Sequence, residues 1–381
     1  MAEAPAEMLA CAYHKHGKPL SVVKVQQVAR PGLPGEGELL LKVHASSLNP
    51  ADWKSGEGGQ GALLGFQWPR VYGFDFAGVV EAVGSGAQAQ EYKTGDEVFG
   101  MIRGLPQKDR GTVAEYCCVD AKVCARRPGS VTMQGCASVP LVGITAVKMF
   151  RACGLEPRAP GADGPRVLVT GGAGGVGTVA IQLAAQLYGA SAVVATASPG
   201  EKTDLCARLG ATRVVNYREG PFEKTLATED EGELFDAVID CTGEAARCVG
   251  LIKKGGAMCS ILAGPTQEAL TTWLEEAEMD PNTITTGVRP FLTSWTGGKI
   301  FECVSGSKRL RRNCEARGVK FAHVIGTGNG EIMGLLAGLL KEGKLVPVID
   351  REYPLAEAVE AIEYQKAGRA AGKVIINIVS K

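Results

Sequence analysis

The chain carries no surplus charge: 41 Lys and Arg balance 41 Asp and Glu over 381 residues. No overall field therefore draws in nucleic acid or an anionic membrane. No run of about 18 apolar residues occurs, so a conventional membrane-spanning helix is not expected. Histidine is scarce, with four in all, and none stands in a cluster of metal-ligand spacing. Twelve cysteines are present, but no two stand as CxxC, so a zinc ribbon finds no ligands at the right spacing. The opening MAEAPAEMLA holds two glutamates, no arginine and no apolar core. It resembles neither a secretory signal nor a transit peptide, and the expectation is a cytoplasmic protein. There the cysteines are expected to be reduced thiols acting as small core residues.

What is present suits a globular protein of two domains: 45% of residues are hydrophobic and 22% charged. From Met8 to about Gly135, segments such as GELLLKVHASSLN, FAGVVEAVGSGA, KTGDEVFGM and GTVAEYCCVD alternate apolar and polar residues around glycine turns, which predicts a mostly β region. The period then changes. CASVPLVGITAVKMFRACGL reads as one long apolar helix. After the loop EPRAPGADGP, short aliphatic strands (RVLVT, SAVVATA, TRVVNY, FDAVIDC, GAMCSIL) alternate with helical segments, the last of them EAARCVGLIKKG. Such alternation predicts right-handed crossovers and a doubly wound parallel sheet. Residues 265–320 break this rhythm and include the basic run SKRLRRN; KFAHVIG then reads as a further strand. A helix ending near Gly368 and a last strand close the chain.

The stretch VLVTGGAGGVGTVAIQ places glycines between a predicted strand and a predicted helix. Gly171, Gly174 and Gly177 fit G-x-x-G-x-x-G, with Gly175 and Val176 opening the helix. Glycines there permit a tight turn and remove Cβ atoms where a pyrophosphate must meet the backbone at a helix N-terminus. A dinucleotide is the expected ligand; the alternative is a tight turn that binds nothing. NAD-selective sites place a carboxylate about 20 residues on, at the end of the second strand. Between Gly171 and Gly200 there is neither Asp nor Glu. Ser198 and Lys202 follow the second strand instead, which favours NADPH over NADH; taken alone, Lys202 is a solvated helix residue.

At this point the sequence resembles the zinc-independent quinone oxidoreductases (zeta-crystallin-like) of the medium-chain dehydrogenase/reductase family. SSLNPADWKSGEG, GFDFAGVVEAVGSG, KTGDEVFG, GTVAEY, VPLVGITA, VLVTGGAGGVGTVAIQLA and LGATRVVNYRE carry the resemblance, in that family's order, over nearly the whole chain. It implies a GroES-like β catalytic domain beginning over 1–140, a Rossmann NADP(H)-binding domain over 141–340, and a return to the catalytic domain over 341–381. The superfamily's alcohol dehydrogenases hold zinc with a Cys where this chain has Asn49, and with Gly-His-Glu where it has Gly73-Phe74-Asp75. Phe cannot ligate a metal and an amide is a poor zinc ligand, so no zinc is expected.

Without a Lewis acid, conjugate addition of hydride to an enone or a quinone is easier than interconverting an alcohol and a ketone, because the charge spreads onto an enolate or phenolate. The resemblance implies an NADPH-dependent reductase of that kind. The alternatives are an enoyl-thioester reductase and a non-catalytic member that only binds the cofactor. It further implies that Asn49 and Asp52 line the cleft near the nicotinamide, that Thr145 approaches the nicotinamide and its ribose, and that Ser198, Lys202 and Tyr217 hold the 2′-phosphate. Thr242, Gly243 and Leu262 would lie along the cofactor. Asp52 and Lys54 are the candidate proton donors, with water as the alternative. The family often dimerises by pairing Rossmann edge strands, and the long 265–320 segment puts that homodimer in doubt.

Overall fold

The structure, a computed structural model, describes residues 6–57, 68–103, 111–161, 163–229, 233–263, 272 and 307–379. Its packing defines two units. One holds the chain up to Ile144 and again from Thr327; the other begins at Thr145 and ends at Gly326.

The first unit opens with β1 (Glu7–Tyr13), β2 (Val23–Ala29), β3 (Glu38–Leu48), β4 (Arg70–Val71), β5 (Asp75–Val83), β6 (Glu97–Met101), β7 (Tyr116–Asp120) and β8 (Cys124–Arg126). Strands β2, β1 and β4 form a small antiparallel sheet. The 11-residue β3 is the spine of the larger sheet, pairing with β5 and, through its first half, with β7. Two register shifts in the β3–β5 ladder bend it, as bulges do. Tyr13, Leu39, Leu41, Val43, Phe76 and Val98 fill the enclosed core.

The predicted long helix is in fact two, Met133–Ala137 and Pro140–Ala152. Pro140 has no N–H to donate within a helix and so begins the second one. Apolar periodicity alone does not register that break.

The second unit contains β9 (Arg166–Thr170), β10 (Ala192–Ala197), β11 (Arg213–Asn216), β12 (Phe235–Asp240), β13 (Ile252–Ser260) and β14 (Lys320–His323). All six are parallel, in the order β11-β10-β9-β12-β13-β14. That is the doubly wound Rossmann arrangement, whose strand order reverses between β9 and β12. Val167, Leu168 and Val169 are all 0% exposed, as befits a strand covered on both faces; each such side chain contributes roughly 1.5–3 kcal/mol by burial.

The predicted helix EAARCVGLIKKG is shorter than expected. It spans Ala245–Cys248, a 3-10 turn follows, and β13 already starts at Ile252, which pairs with Phe235 ahead of an irregularity around Gly255 (φ +85°). The basic run forms the helix Ser307–Ala316, which buries Leu310 and Cys314. Residues 265–271 and 273–306 lie outside the described residues.

The chain returns to the first unit through the helix Gly330–Lys341. Asn329 caps it, its side-chain oxygen accepting the Ile332 N–H at 2.9 Å. Then follow β15 (Ile349–Pro354), the helix Ala358–Lys366 and β16 (Lys373–Asn377). Strand β16 pairs antiparallel with β3 and parallel with β15. Among the described residues no helix is long and apolar enough to cross a membrane.

Candidate active site

The glycine segment sits between the carboxyl end of β9 and the helix Gly175–Gln186. Gly171 adopts φ +65°, and a Cβ there would stand 2.5 Å from Thr242 Cγ2. A Cβ on Gly177 would lie 2.2 Å from the Gly171 carbonyl oxygen, so this glycine lets the helix pack against the turn. Gly174 differs. Its added Cβ would meet only that same carbonyl, at 3.3 Å, and the residue is half-buried beside Gly175 and Val176. The segment thus presents bare backbone at the N-terminus of a 12-residue helix, beside the strand-order reversal. A dinucleotide's diphosphate fits such a cradle.

Ser198 directly follows β10 and Tyr217 directly follows β11, and the two strand ends are paired at Ala197 and Asn216. Gly200 (φ +83°) turns the chain into the helix Glu201–Arg208, whose first turn carries the half-buried Lys202. Ser198, Lys202 and Tyr217 therefore share one end of the sheet; Tyr217 is 46% exposed. On the other side of the cradle, Thr242 and Gly243 (φ +84°) follow β12, and Leu262, 48% exposed, follows β13. Thr145 lies buried in the helix Pro140–Ala152.

Sequence reasoning passed over the group that ties these loops together. Asp240, at the end of β12, is 0% exposed. Its carboxylate accepts from Thr170 Oγ1 (2.7 Å), Ser260 Oγ (2.6 Å) and the N–H groups of Thr242, Glu244 and Ala245 (3.0–3.2 Å). An aspartate closing an aliphatic strand, before C-T-G and level with threonine and serine on the adjoining strands, was the available signal. His323, which pairs with Ser260 at the end of β14, was also missed; burial pushes its pKa down to about 4, so the ring is neutral at ordinary pH.

In the first unit, Asn49 and Asp52 form a capping box at the helix Pro50–Gly56, the Asp52 carboxylate accepting the Asn49 N–H at 2.6 Å. The Asn49 amide is consumed at both ends: Nδ2 donates to Asp75 Oδ2 at 2.8 Å, and Oδ1 accepts from Lys373 Nζ. Lys373 also donates to the Leu48 carbonyl (3.0 Å) and faces Asp75 Oδ2 at 3.4 Å. Ser47 Oγ and the Leu141 N–H complete the shell of Asp75. Asp52 is buried, and its Oδ1 has no partner among the described residues. Desolvation raises its pKa to about 8, reinforced by the negative Asp75, against the Asn49 N–H and the Lys373 and Arg70 charges. Lys54 is exposed and lies over the Trp53 ring, 5.6 Å from its centroid.

The parallel sheet in the order 3-2-1-4-5-6, with its bare-backbone turn, defines the class: an α/β protein with a Rossmann unit. Comparison with known proteins narrows it. Residues 35–129 match the family model described as an alcohol dehydrogenase GroES-like domain, and residues 209–376 match one described as a zinc-binding dehydrogenase. The chain is 34% identical to the 2-methylene-furan-3-one reductase of Solanum lycopersicum, over 98% of this chain and 80% of the relative. It is 30% identical to the chloroplastic NADPH-dependent alkenal/one oxidoreductase of Arabidopsis thaliana, over 98% of this chain and 81% of that one. The quinone oxidoreductase of Coxiella burnetii superposes with a TM-score of 0.76 at 27% identity, covering 98% of this chain and all of that one. The chain belongs to the medium-chain dehydrogenase/reductase family and is an oxidoreductase.

Proposed function

We propose that the protein is an NADPH-dependent reductase that delivers hydride to a quinone or an α,β-unsaturated carbonyl without zinc. One observation carries the cofactor choice: Ser198, Lys202 and Tyr217 share the carboxyl ends of β10 and β11, and no Asp or Glu lies between Gly171 and Gly200 to repel a 2′-phosphate. The 30% identical NADPH-dependent alkenal/one oxidoreductase supports it.

NADPH, when bound, supplies the hydride. Gly171, Gly174, Gly175, Val176 and Gly177 offer bare backbone and helix N–H groups to its diphosphate, with Thr145, Thr242, Gly243 and Leu262 along the remainder. The donor set in the first unit favours a metal-free reaction. Asp75 is paired with Lys373, the Asn49 amide is spent within the same network, and Phe74 offers no ligand. Conjugate reduction tolerates this, since negative charge delocalises onto an enolate or phenolate that hydrogen bonds and solvent can stabilise. Asn49 and Asp52 hold the segment entering the helix Pro50–Gly56, and Asp52, Lys54 and water are the proton sources this reading offers.

Oxidation of NADPH and of NADH against quinones, 2-alkenals, vinyl ketones and 2-enoyl thioesters tests this. Turnover of quinones or enones with NADPH preferred is the expected result. A strong preference for NADH, turnover confined to enoyl thioesters, or stoichiometric zinc would each overturn it.

A further inference from the structure

We propose that Asp240 is the positioning residue for the nicotinamide half of the cofactor site, an inference that rests on the dinucleotide reading above. In a doubly wound sheet the ribose of the adenosine half sits by the end of the second strand and the diphosphate on the first crossover helix. The nicotinamide half therefore falls over the fourth and fifth strands, here β12 and β13. Those strand ends are joined by one carboxylate.

Asp240 Oδ1 accepts from Thr170 at the end of β9 and from the N–H groups of Thr242 and Glu244. Oδ2 accepts from Ser260 at the end of β13 and from the Ala245 N–H. Thr170 Oγ1, having donated to Asp240, accepts from the Cys241 N–H (3.0 Å) and from Thr242 Oγ1 (2.9 Å). Ser260 Oγ likewise accepts from the N–H groups of Leu262 (3.3 Å) and Ala263 (3.2 Å). One buried anion thus fixes three turns, and each relays its hold one residue further. Thr242, held this way, packs where a Cβ on Gly171 would otherwise be.

Only an ionised carboxylate can accept at every one of these positions. Asp240 itself is 0% exposed and so offers no surface to a ligand. The residues it sets, Thr242, Gly243 and Leu262, are exposed at the rim. This division marks a positioning residue: the groups that meet the cofactor lie on loops, and the anion beneath them keeps those loops in register. An amide in its place turns an NH2 towards N–H and O–H donors on one side, and the rim relaxes.

The test compares two ligands on the full-length protein by calorimetry. 2′,5′-ADP reports the adenosine end at β10 and β11; NADPH reports both halves. Asp240→Asn is expected to weaken NADPH about tenfold or more, the scale of one buried hydrogen bond to a charged group, with 2′,5′-ADP affinity unchanged. Ser260→Ala, which removes only the β13 arm, is expected to give the same pattern at smaller amplitude, and it keeps the proposal testable should Asp240→Asn fail to fold. Equal loss of both ligands in Ser260→Ala, or unchanged NADPH binding in a folded Asp240→Asn, overturns the assignment. Wild-type protein that binds 2′,5′-ADP and NADPH while the variants bind both normally sinks only this proposal; wild-type protein that binds neither sinks the cofactor reading with it.

Discussion

Lys373 and Asp75 form an ion pair sealed inside the first unit, Nζ to Oδ2 at 3.4 Å, with side chains 5% and 0% exposed. Asn49 is wedged against both. Desolvation pushes the Lys373 pKa down, and the negative Asp75 acts in the opposite sense, joined by Asp52 only where that carboxyl is ionised. The network joins β16, near the end of the chain, to β3 and β5 near its start, so the return of the chain is fastened by charge as well as by strand pairing.

Lys373→Met should therefore be severe. Removing one partner of a buried pair leaves the other charge uncompensated, at a cost of about 3–5 kcal/mol. The double variant Lys373→Met/Asp75→Asn should regain much of that loss, because no lone charge remains. Urea midpoints of the single and double variants check both statements.

Asp52 predicts a pH dependence of stability. Its pKa is raised in the folded state to about 8, against about 3.9 for an unfolded aspartate. A raised acid binds its proton more tightly when folded, so the stability it contributes is complete below about pH 4 and is lost as pH climbs towards about 8. Asp52→Asn keeps an oxygen for the Asn49 N–H and has no charge to bury. Its stability relative to wild type should therefore improve steadily between about pH 5 and pH 8, as read from denaturant midpoints at the two values. A gap that stays constant across this range contradicts the protonated, buried Asp52.

Two glycines of the same turn should respond differently to alanine. At Gly177 the new methyl would meet backbone at 2.2 Å, so Gly177→Ala should destabilise the fold by about 1–3 kcal/mol through overpacking. At Gly174 the backbone is extended (φ −79°, ψ 172°) and the nearest atom is 3.3 Å away. Gly174→Ala should leave the melting temperature nearly unchanged and weaken NADPH, because the methyl occupies space left for the diphosphate. Thermal unfolding with and without NADPH separates the two effects.

The sheet of the second unit was legible in the sequence because its inner strands β9, β10 and β12 are short aliphatic runs before a turn, and burial on both faces demands that composition. The helix Gly330–Lys341 and strand β15 were less so. The helix packs against β8, far back in the chain, and IDREYP carries too many charges to announce a strand; it is one because it pairs with β16 at the sheet edge. Within the site, glycines and strand-end residues could be read directly, since backbone freedom and position are properties of the sequence. The polar networks could not. That Asn49 would be spent on Asp75 and Lys373 depends on strand pairings that no local pattern encodes, whereas Asp240 stands at a strand end before C-T-G and only its partners Thr170 and Ser260 wait on the pairing.

Lys202 provides the sharpest test of cofactor choice. It lies in the first turn of the helix Glu201–Arg208, next to the paired ends of β10 and β11. A charged hydrogen bond from its ammonium to a 2′-phosphate is worth about 1.5–3 kcal/mol. Lys202→Ala should therefore raise the KM for NADPH about tenfold or more, while the KM for NADH, which has no phosphate there, stays where it was. The kcat should hold in both cases, because the residue acts at the far end of the cofactor from the transferred hydride. A rise shared equally by both cofactors would mean that the variant has disturbed the helix rather than a phosphate contact, and an unchanged KM for NADPH would remove Lys202 from the site.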